Sequence, residues 1–399
     1  MTTQYLLDWL SLLGRWLHLV TGMAWIGASF YFVWLDNHLE PPEDPADVAK
    51  GVAGELWAVH GGGFYNPKKY LAAPGTLPAT LHWFKWEAYW TWISGFFLLG
   101  LVYYVGADLY LIDKSVADLG RASAIAIGLA SLGGGWIVYD RLCRSMLGAR
   151  PRTLTAVLAA LLTAAAWGLC HVFSGRGAYI HFGAMLGTVM VANVAFVIMP
   201  GQRELVAACR DARAPDPAAA ARAKQRSVHN TYFTLPVLFT MIGNHYAMAY
   251  GHAWNWLILA AITFAGAAIR TYFVARHQPP ASPLPAIAGV LALMAVAAMI
   301  APPRGSASAG MRNADGAGVE KMIAQRCAPC HAAAPTQPGF TAAPKGVMLE
   351  SPEQIRLQSA RILEQTSSRA MPPGNLTAMT DEERAALAAW VAQEAKHAP

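Results

Sequence analysis

Cys327 and Cys330 lie three residues apart and are followed directly by His331. Two thiols one helical turn apart can each form a thioether with a vinyl group of haem, and the imidazole that follows is then held beneath the iron as its proximal ligand. The run Cys327-Ala328-Pro329-Cys330-His331 therefore predicts covalent c-type haem. A redox dithiol or half a zinc site is the competing reading, but no second cysteine pair and no sheet-forming pattern accompanies this one. The sixth ligand is expected at Met371, in Ala370-Met371-Pro372-Pro373-Gly374, where prolines stiffen a loop that can present a thioether. His331 and Met371 are then the two iron ligands; Met379 and Met348 are rivals to Met371 whose other role is core filling. Cys143, Cys170 and Cys209 share no ligand spacing and read as packed thiols.

A second set of histidines falls in apolar surroundings, where polar groups are expensive and usually functional. His18, His171, His181 and His245 all lie near the same ends of long apolar stretches. His18, His181 and His245 are candidate ligands of a second, b-type haem; capping of neighbouring helices is the alternative. A third set comprises His60 in His60-Gly61-Gly62-Gly63-Phe64-Tyr65, His82 in Leu81-His82-Trp83-Phe84-Lys85-Trp86-Glu87, and Arg270 inside an apolar stretch. A histidine titrating near neutrality suits proton transfer and a guanidinium suits a flat anion, which makes His60, His82 and Arg270 the candidate catalytic residues. The glycines after His60 match neither the Walker nor the dinucleotide pattern, and beside an aromatic pair they read as a close approach of backbone to a flat ligand. Trp83, Trp86 and Trp90 fit an interfacial belt or a binding wall equally well. Asn193 and Asn244 fit ligand orientation or a bond between helices.

The elements that must position these groups follow from the missing charge. Of 399 residues 55% are hydrophobic and 14% are charged, far from the roughly 25% charged of a soluble domain. Uncharged stretches run over 16–35, 88–107, 122–139, 153–175, 177–202, 227–269 and 277–303. Each is long enough to cross a bilayer core, which takes about 20 residues, and 227–269 is long enough for two crossings with a turn near Gly251 to Asn255. The expectation is an all-α, polytopic bundle of eight transmembrane helices over residues 1–303. The first stretch reads as a permanent span, because Asp8 rather than a basic leader precedes it. Residues 304–314 form a Gly, Ser and Ala linker, and charges return over 315–399 in a small, class I-like cytochrome c domain. Thr380 and Glu383 form a capping-box pattern for its last helix.

Orientation follows from Lys and Arg in the connections. The first, third, fifth and seventh hold Lys50, Lys68, Lys69 and Lys85, then Arg141, Arg144, Arg150 and Arg152, then a run from Arg203 to Arg226, then Arg276. The others carry only Lys114, Arg121 and Arg176. The 203–226 run reads as an inside-positive anchor rather than a nucleic-acid site. The haem domain is therefore expected outside the cytoplasm, in the periplasm of a bacterium, on a multi-pass protein of the inner membrane.

At these residues the chain resembles the bacterial integral-membrane urate oxidases, also called urate hydroxylases, which carry a C-terminal cytochrome c domain. The resemblance rests on Trp16-Leu17-His18-Leu19 with Trp25-Ile26-Gly27, on HGGGFY from His60, LHWFKWEAY from Leu81, HFGAMLGTVMVANV from His181 and HNTYFTLPVLFTMIGNHY from His229. It implies oxidation of urate to 5-hydroxyisourate, with electrons passed through the c-type haem to a soluble cytochrome c or a terminal oxidase. A quinol or porphyrinogen dehydrogenase on the same electron plan is the alternative, and a permease or sensor fused to a cytochrome is the alternative from another class. Replacing Cys327 by Ala is expected to abolish electron transfer to an external acceptor while leaving urate binding intact, as read from acceptor reduction and urate titration of the same preparation; unchanged turnover would contradict the electron route.

Overall fold

The computed structural model describes residues 3–70, 74–277, 280–301 and 316–397, so the linker expected at 304–314 lies outside the described residues. The chain is mostly helical. Helix α1 (Thr3–Asp36) begins well before the uncharged stretch that starts at Trp16. Arg15 does not stop it, because its Nε donates to Ser11 Oγ one turn earlier, at 3.2 Å. His18 consequently sits near the middle of α1, not near an end as expected.

The connection after α1 departs from an all-helical fold. It holds β1 (Val52–Glu55), β2 (Ala58–His60), β3 (Gly63–Tyr65) and β4 (Lys68–Tyr70), with β1 antiparallel to β4 and β2 antiparallel to β3. His60 pairs with Gly63, which makes Gly61-Gly62 a two-residue hairpin turn. Both glycines have positive φ, 59° and 80°, as such a turn demands, and a Cβ at either would meet nothing within 4 Å. The turn by itself accounts for both glycines.

Helix α2 (Trp86–Leu98) runs on through a π-helical turn at Leu99–Tyr104. A one-turn helix at Ala107–Tyr110 leads to α3 (Arg121–Arg144) and α4 (Pro151–Cys170). Helix α5 (Gly175–Asn193) continues through a second π-helical turn at Val194–Ile198 into α6 (Met199–Arg210). Helices α7 (Pro217–Gly243), α8 (Asn255–Ala275) and α9 (Leu284–Met299) follow, with the chain reversing between Gly243 and Asn255.

Among the described residues, five helical stretches are long and apolar enough to cross a membrane: Tyr5–Asp36, Arg121–Arg144, Pro151–Cys170, Gly175–Arg210 and Asn255–Ala275. The other three expected spans correspond to α2 with its π-helical turn, to α7, whose first third carries Arg222, Lys224 and Arg226, and to α9, which is shorter because it starts only after Pro283. Helix α5 is buried almost all round and forms the axis of the bundle, as a helix without a polar face must. Phe173, Tyr179, Phe182, Leu186, Ile258 and Leu259 form the centre of its core. Small residues let the neighbours close on it: Gly183 lies under Thr240 of α7, and Gly135 of α3 lies under Met185. On the outside, Leu12, Leu13, Leu19, Val20 and Met23 of α1 and Leu291 and Met294 of α9 are exposed, an apolar surface compatible with lipid.

The C-terminal segment has its own core. Helices α10 (Gly316–Arg326), α11 (Pro352–Leu357), α12 (Ser359–Ser367) and α13 (Asp381–His397) enclose Val319, Ile323, Leu349, Ile362, Leu387 and Trp390. At the start of α13, Thr380 N donates to Glu383 Oε2 at 2.8 Å and Glu383 N donates to Thr380 Oγ1 at 3.2 Å, the reciprocal pair read from the sequence. This segment rests on the bundle through two glycines. A Cβ on Gly251 would overlap the Ser368 carbonyl oxygen, and one on Gly374 would fall 2.7 Å from the Ile112 carbonyl oxygen. Gly374 also has φ of 55°, so no other residue suits both its conformation and its contact. Replacing Gly251 by Ala is expected to lift the segment from its seat and raise hydrogen exchange over residues 108–112 by about tenfold, as for local opening; unchanged exchange would show that this contact does not set the seat.

Candidate functional site

Three polar centres lie within the apolar bundle. The first is His181, fully buried on α5. Its Nδ1 is 2.8 Å from the Gly177 carbonyl oxygen and its Nε2 is 3.3 Å from the Tyr104 hydroxyl, which the π-helical turn after α2 presents. Phe173 packs on the ring at 4.8 Å, and Gly128 of α3 leaves the space in which a Cβ would fall 2.7 Å from Nε2. His18, half-buried, is anchored alike: its Nδ1 is 3.0 Å from the Thr91 carbonyl oxygen and 3.1 Å from Ser94 Oγ, with its ring against Gly95. His245 is exposed in the turn after α7, and His171 is exposed at the end of α4 with its ring on Trp167. No contact among the described residues joins these four histidines, and no group of three or more His, Cys, Asp or Glu converges on a metal position.

The second centre is a hydrogen-bonded frame between α3, α5 and α7. Arg226 is 2% exposed; its Nη1 donates to Asn193 Oδ1 at 3.2 Å and its Nη2 donates to Asp140 Oδ1 at 2.8 Å. Asn193 Nδ2 donates to Asn230 Oδ1 at 2.8 Å and to the Tyr139 hydroxyl at 3.1 Å, and Asn230 Nδ2 donates to the Met190 carbonyl at 3.0 Å. The Tyr139 hydroxyl lies 2.8 Å from His229 Nδ1, and the Arg226 guanidinium lies over the Tyr139 ring at 4.8 Å. Asn193 thus bonds between helices, and the second π-helical turn begins at the residue after it. Arg226, read from sequence as part of a surface anchor, turns into the bundle instead. Asn244 only caps its own helix, through Met241.

The third centre is Arg270 of α8, 8% exposed. Its guanidinium lies 3.9 Å from the centre of the Phe30 ring of α1, with Tyr232 of α7 beside it. Its Nε and Nη2, the two donors that form the side-on fork of an arginine, are buried with no acceptor among the described residues. His60 and His82 are not brought to Arg270. His60 is exposed at the hairpin, and His82 has a side chain 70% exposed, 3.9 Å from Glu87 and packed on Phe84, which in turn packs on Phe32 of α1. Trp86 and Trp90 face outward, while Trp83 packs with Ala88, Val191 and Met199.

The profile of the urate oxidase N-terminal family matches residues 4–301. The chain belongs to that family. No curated protein and no solved structure matches it. All three centres lie within the stretch that the urate oxidase profile covers, and the C-terminal segment lies beyond it.

In that segment His331 Nδ1 bonds to the Val347 carbonyl at 2.9 Å, which leaves Nε2 as the free ring nitrogen. Cys327 N–H and Cys330 N–H close the local turn on Ile323 and Cys327 carbonyls. Burial, and then the neighbouring Cys330, push the Cys327 thiol up to about 11. Arg384, its own ionisation lowered by burial, donates from Nη1 to the carbonyls of Thr366 and Met371, each at 2.7 Å, and fixes the loop that carries Met371. Met371 is half-buried on that loop, Met379 is packed in the core and Met348 is exposed.

Sequence reasoning passed over Tyr139, Asp140, Arg226, His229 and Asn230 as site residues. The available signal was their spacing: Arg226, His229 and Asn230 fall on adjacent turns of one helix, at the boundary of an uncharged stretch. Replacing Asp140 by Ala strands the Arg226 charge and is expected to destabilise the bundle by about 3 kcal/mol. The double change Asp140→Leu with Arg226→Met should recover most of that loss, as measured by thermal unfolding in detergent.

Proposed function

We propose that the protein is a membrane-bound urate oxidase that takes electrons from urate in the helical bundle and delivers them through a c-type haem on residues 315–399. The observation that carries this reading is Arg270. A buried guanidinium without a counter-charge is strongly disfavoured in an apolar bundle, and the cost falls away once an anion occupies it. Urate near neutral pH is a flat monoanion with adjacent N–H, N⁻ and C=O groups, and the open Nε and Nη2 fork can engage two of its acceptors side by side. The Phe30 ring already fixes the plane of that fork. His82 is linked through Phe84 and Phe32 to the helix that carries Phe30.

The remaining groups fit the electron carriers. Cys327 and Cys330 would hold the c-type haem, His331 would be its proximal ligand with Nδ1 fixed on Val347, and Met371 would be the sixth ligand on the loop fixed by Arg384. His18 and His181 each have Nδ1 on a backbone carbonyl and a glycine against the ring, which suits a b-type haem; His245 is the further candidate in the exposed turn. When bound, these groups would accept electrons one at a time and pass them to a soluble cytochrome c or a terminal oxidase. The basic ends of α3, α6 and α7 lie at the opposite end of the bundle from the seat of the C-terminal segment. That supports eight spans in a bacterial inner membrane with the haem domain in the periplasm.

Urate added to air-oxidised membranes is expected to reduce the c-type absorption band. Arg270→Gln should weaken urate binding by about 10- to 100-fold, the loss of a charge-assisted pair, without altering the c-type spectrum. Arg270→Lys should recover only part, because an ammonium lacks the fork. Reduction by a quinol but not by urate would refute the proposal.

A further inference from the structure

We propose that His229 accepts the proton released when water adds to urate, and that Tyr139, Asn193, Arg226 and Asp140 form the frame that holds its ring. The inference rests on the urate reading above and assigns the acid–base chemistry within it. Oxidation of the urate monoanion to 5-hydroxyisourate takes up one water and releases one proton and two electrons. As the water oxygen bonds to the purine carbon, one of its O–H bonds breaks, and that proton needs an acceptor within hydrogen-bond reach. The two electrons leave singly to a haem acceptor.

Position separates His229 from the other histidines. His60, His82, His171 and His245 are exposed, and His18, held on Thr91 and Ser94, lies about 18 Å of helix from Phe30. His181 sits two turns into α5 from Gly175, toward the end that seats the C-terminal segment. His229 lies one turn before Tyr232, the residue beside Arg270, so the two side chains are neighbours on the α7 surface. Helices α7 and α8 pack together along this length, with Gly266 of α8 against Leu235 and Pro236. A flat anion held on the Arg270 fork would therefore have the partly buried His229 imidazole one turn beyond Tyr232 along α7.

The frame fixes which ring nitrogen is open. The Tyr139 oxygen, 2.8 Å from His229 Nδ1, also accepts from Asn193 Nδ2 at 3.1 Å. In the proposed tautomer that oxygen accepts from His229 Nδ1–H as well. Nε2 then carries the open lone pair, and the imidazolium formed on protonation keeps both of its donors occupied. Asn193 is held in turn by Arg226 and Asn230, and Arg226 by Asp140, so each member of the frame is located by the next. A frame satisfied to this degree restricts the ring to one orientation, the condition for a general base.

The test is steady-state turnover and urate titration of the full-length, haem-loaded protein. His229→Gln is expected to lower kcat by about 100- to 1000-fold, with the KM for urate within about threefold of the unaltered protein. Added imidazole should restore part of that turnover, and should restore none in Arg270→Gln. Tyr139→Phe keeps the ring, removes only the oxygen, and should lower kcat about tenfold at unchanged urate affinity; it serves as the test if His229→Gln does not accumulate. His229→Gln turning over at more than a third of the normal rate, or losing urate affinity in step with rate, would overturn the assignment, as would an unaffected Tyr139→Phe. An unaltered protein that neither binds nor oxidises urate would overturn the urate reading itself, a result distinct from active protein with a silent His229.

Discussion

An apolar bundle tolerates a guanidinium only where something answers its charge and its donors. The two buried arginines answer that constraint in opposite ways. Arg226 has a carboxylate, an amide and an aromatic face within contact, which answer its charge and leave its Nε as the donor without a partner among the described residues, and it knits α3, α5 and α7 together. Arg270 has an aromatic face and no acceptor for its fork among the described residues. The first arrangement is architecture; the second is an unfilled valence. Every functional statement about the bundle depends on that difference, because exposed polar groups such as His60 and His82 carry no comparable energetic demand.

Helix α5 makes both arrangements possible. It is enclosed on all sides, so residues on it are held from several helices at once. His181 near one end and Asn193 at the other are each adjoined by a π-helical turn, one at the end of α2 and one at the end of α5 itself. A π-helical turn shifts the register of the residues beyond it and weakens the local ladder, a cost that persists where a side chain must be aimed at a particular neighbour. Here the neighbours are Tyr104 with His181, and Asn230 and Arg226 with Asn193.

What could be read from sequence divides along the same physical line. Patterns fixed by local spacing were legible: the Thr380 and Glu383 cap and the reversal before Asn255. The apolar stretches located the helices, but a charge-free window underestimated α1, since a charge one turn inside a helix can bond back along it, as Arg15 does. The glycines after His60 were visible while the turn they make was not, because turn and ligand contact demand the same residue and only the His60–Gly63 pairing and φ show the turn. Arg226 was misplaced because charge at the edge of a span reads as an anchor, and the direction of a side chain on a helix is set by partners distant in sequence. Its five neighbours in the frame come from three helices.

The seat of the C-terminal segment has an electrical consequence. It lies by Gly251, beyond the end of α7 that is about 20 Å of helix from His229, at 1.5 Å per residue. Arg270 is similarly distant, near the far end of α8. On the proposed route, electrons that start beside Arg270 and finish on the C-terminal segment would move along the membrane normal, from the basic side toward the opposite side. On the proposed orientation that displacement runs with an inside-negative membrane potential, which favours each elementary charge by up to about 2.3 kcal/mol per 100 mV for a full crossing. Turnover would draw on the potential as well as on the chemistry of the substrate, and would run fastest in an energised membrane.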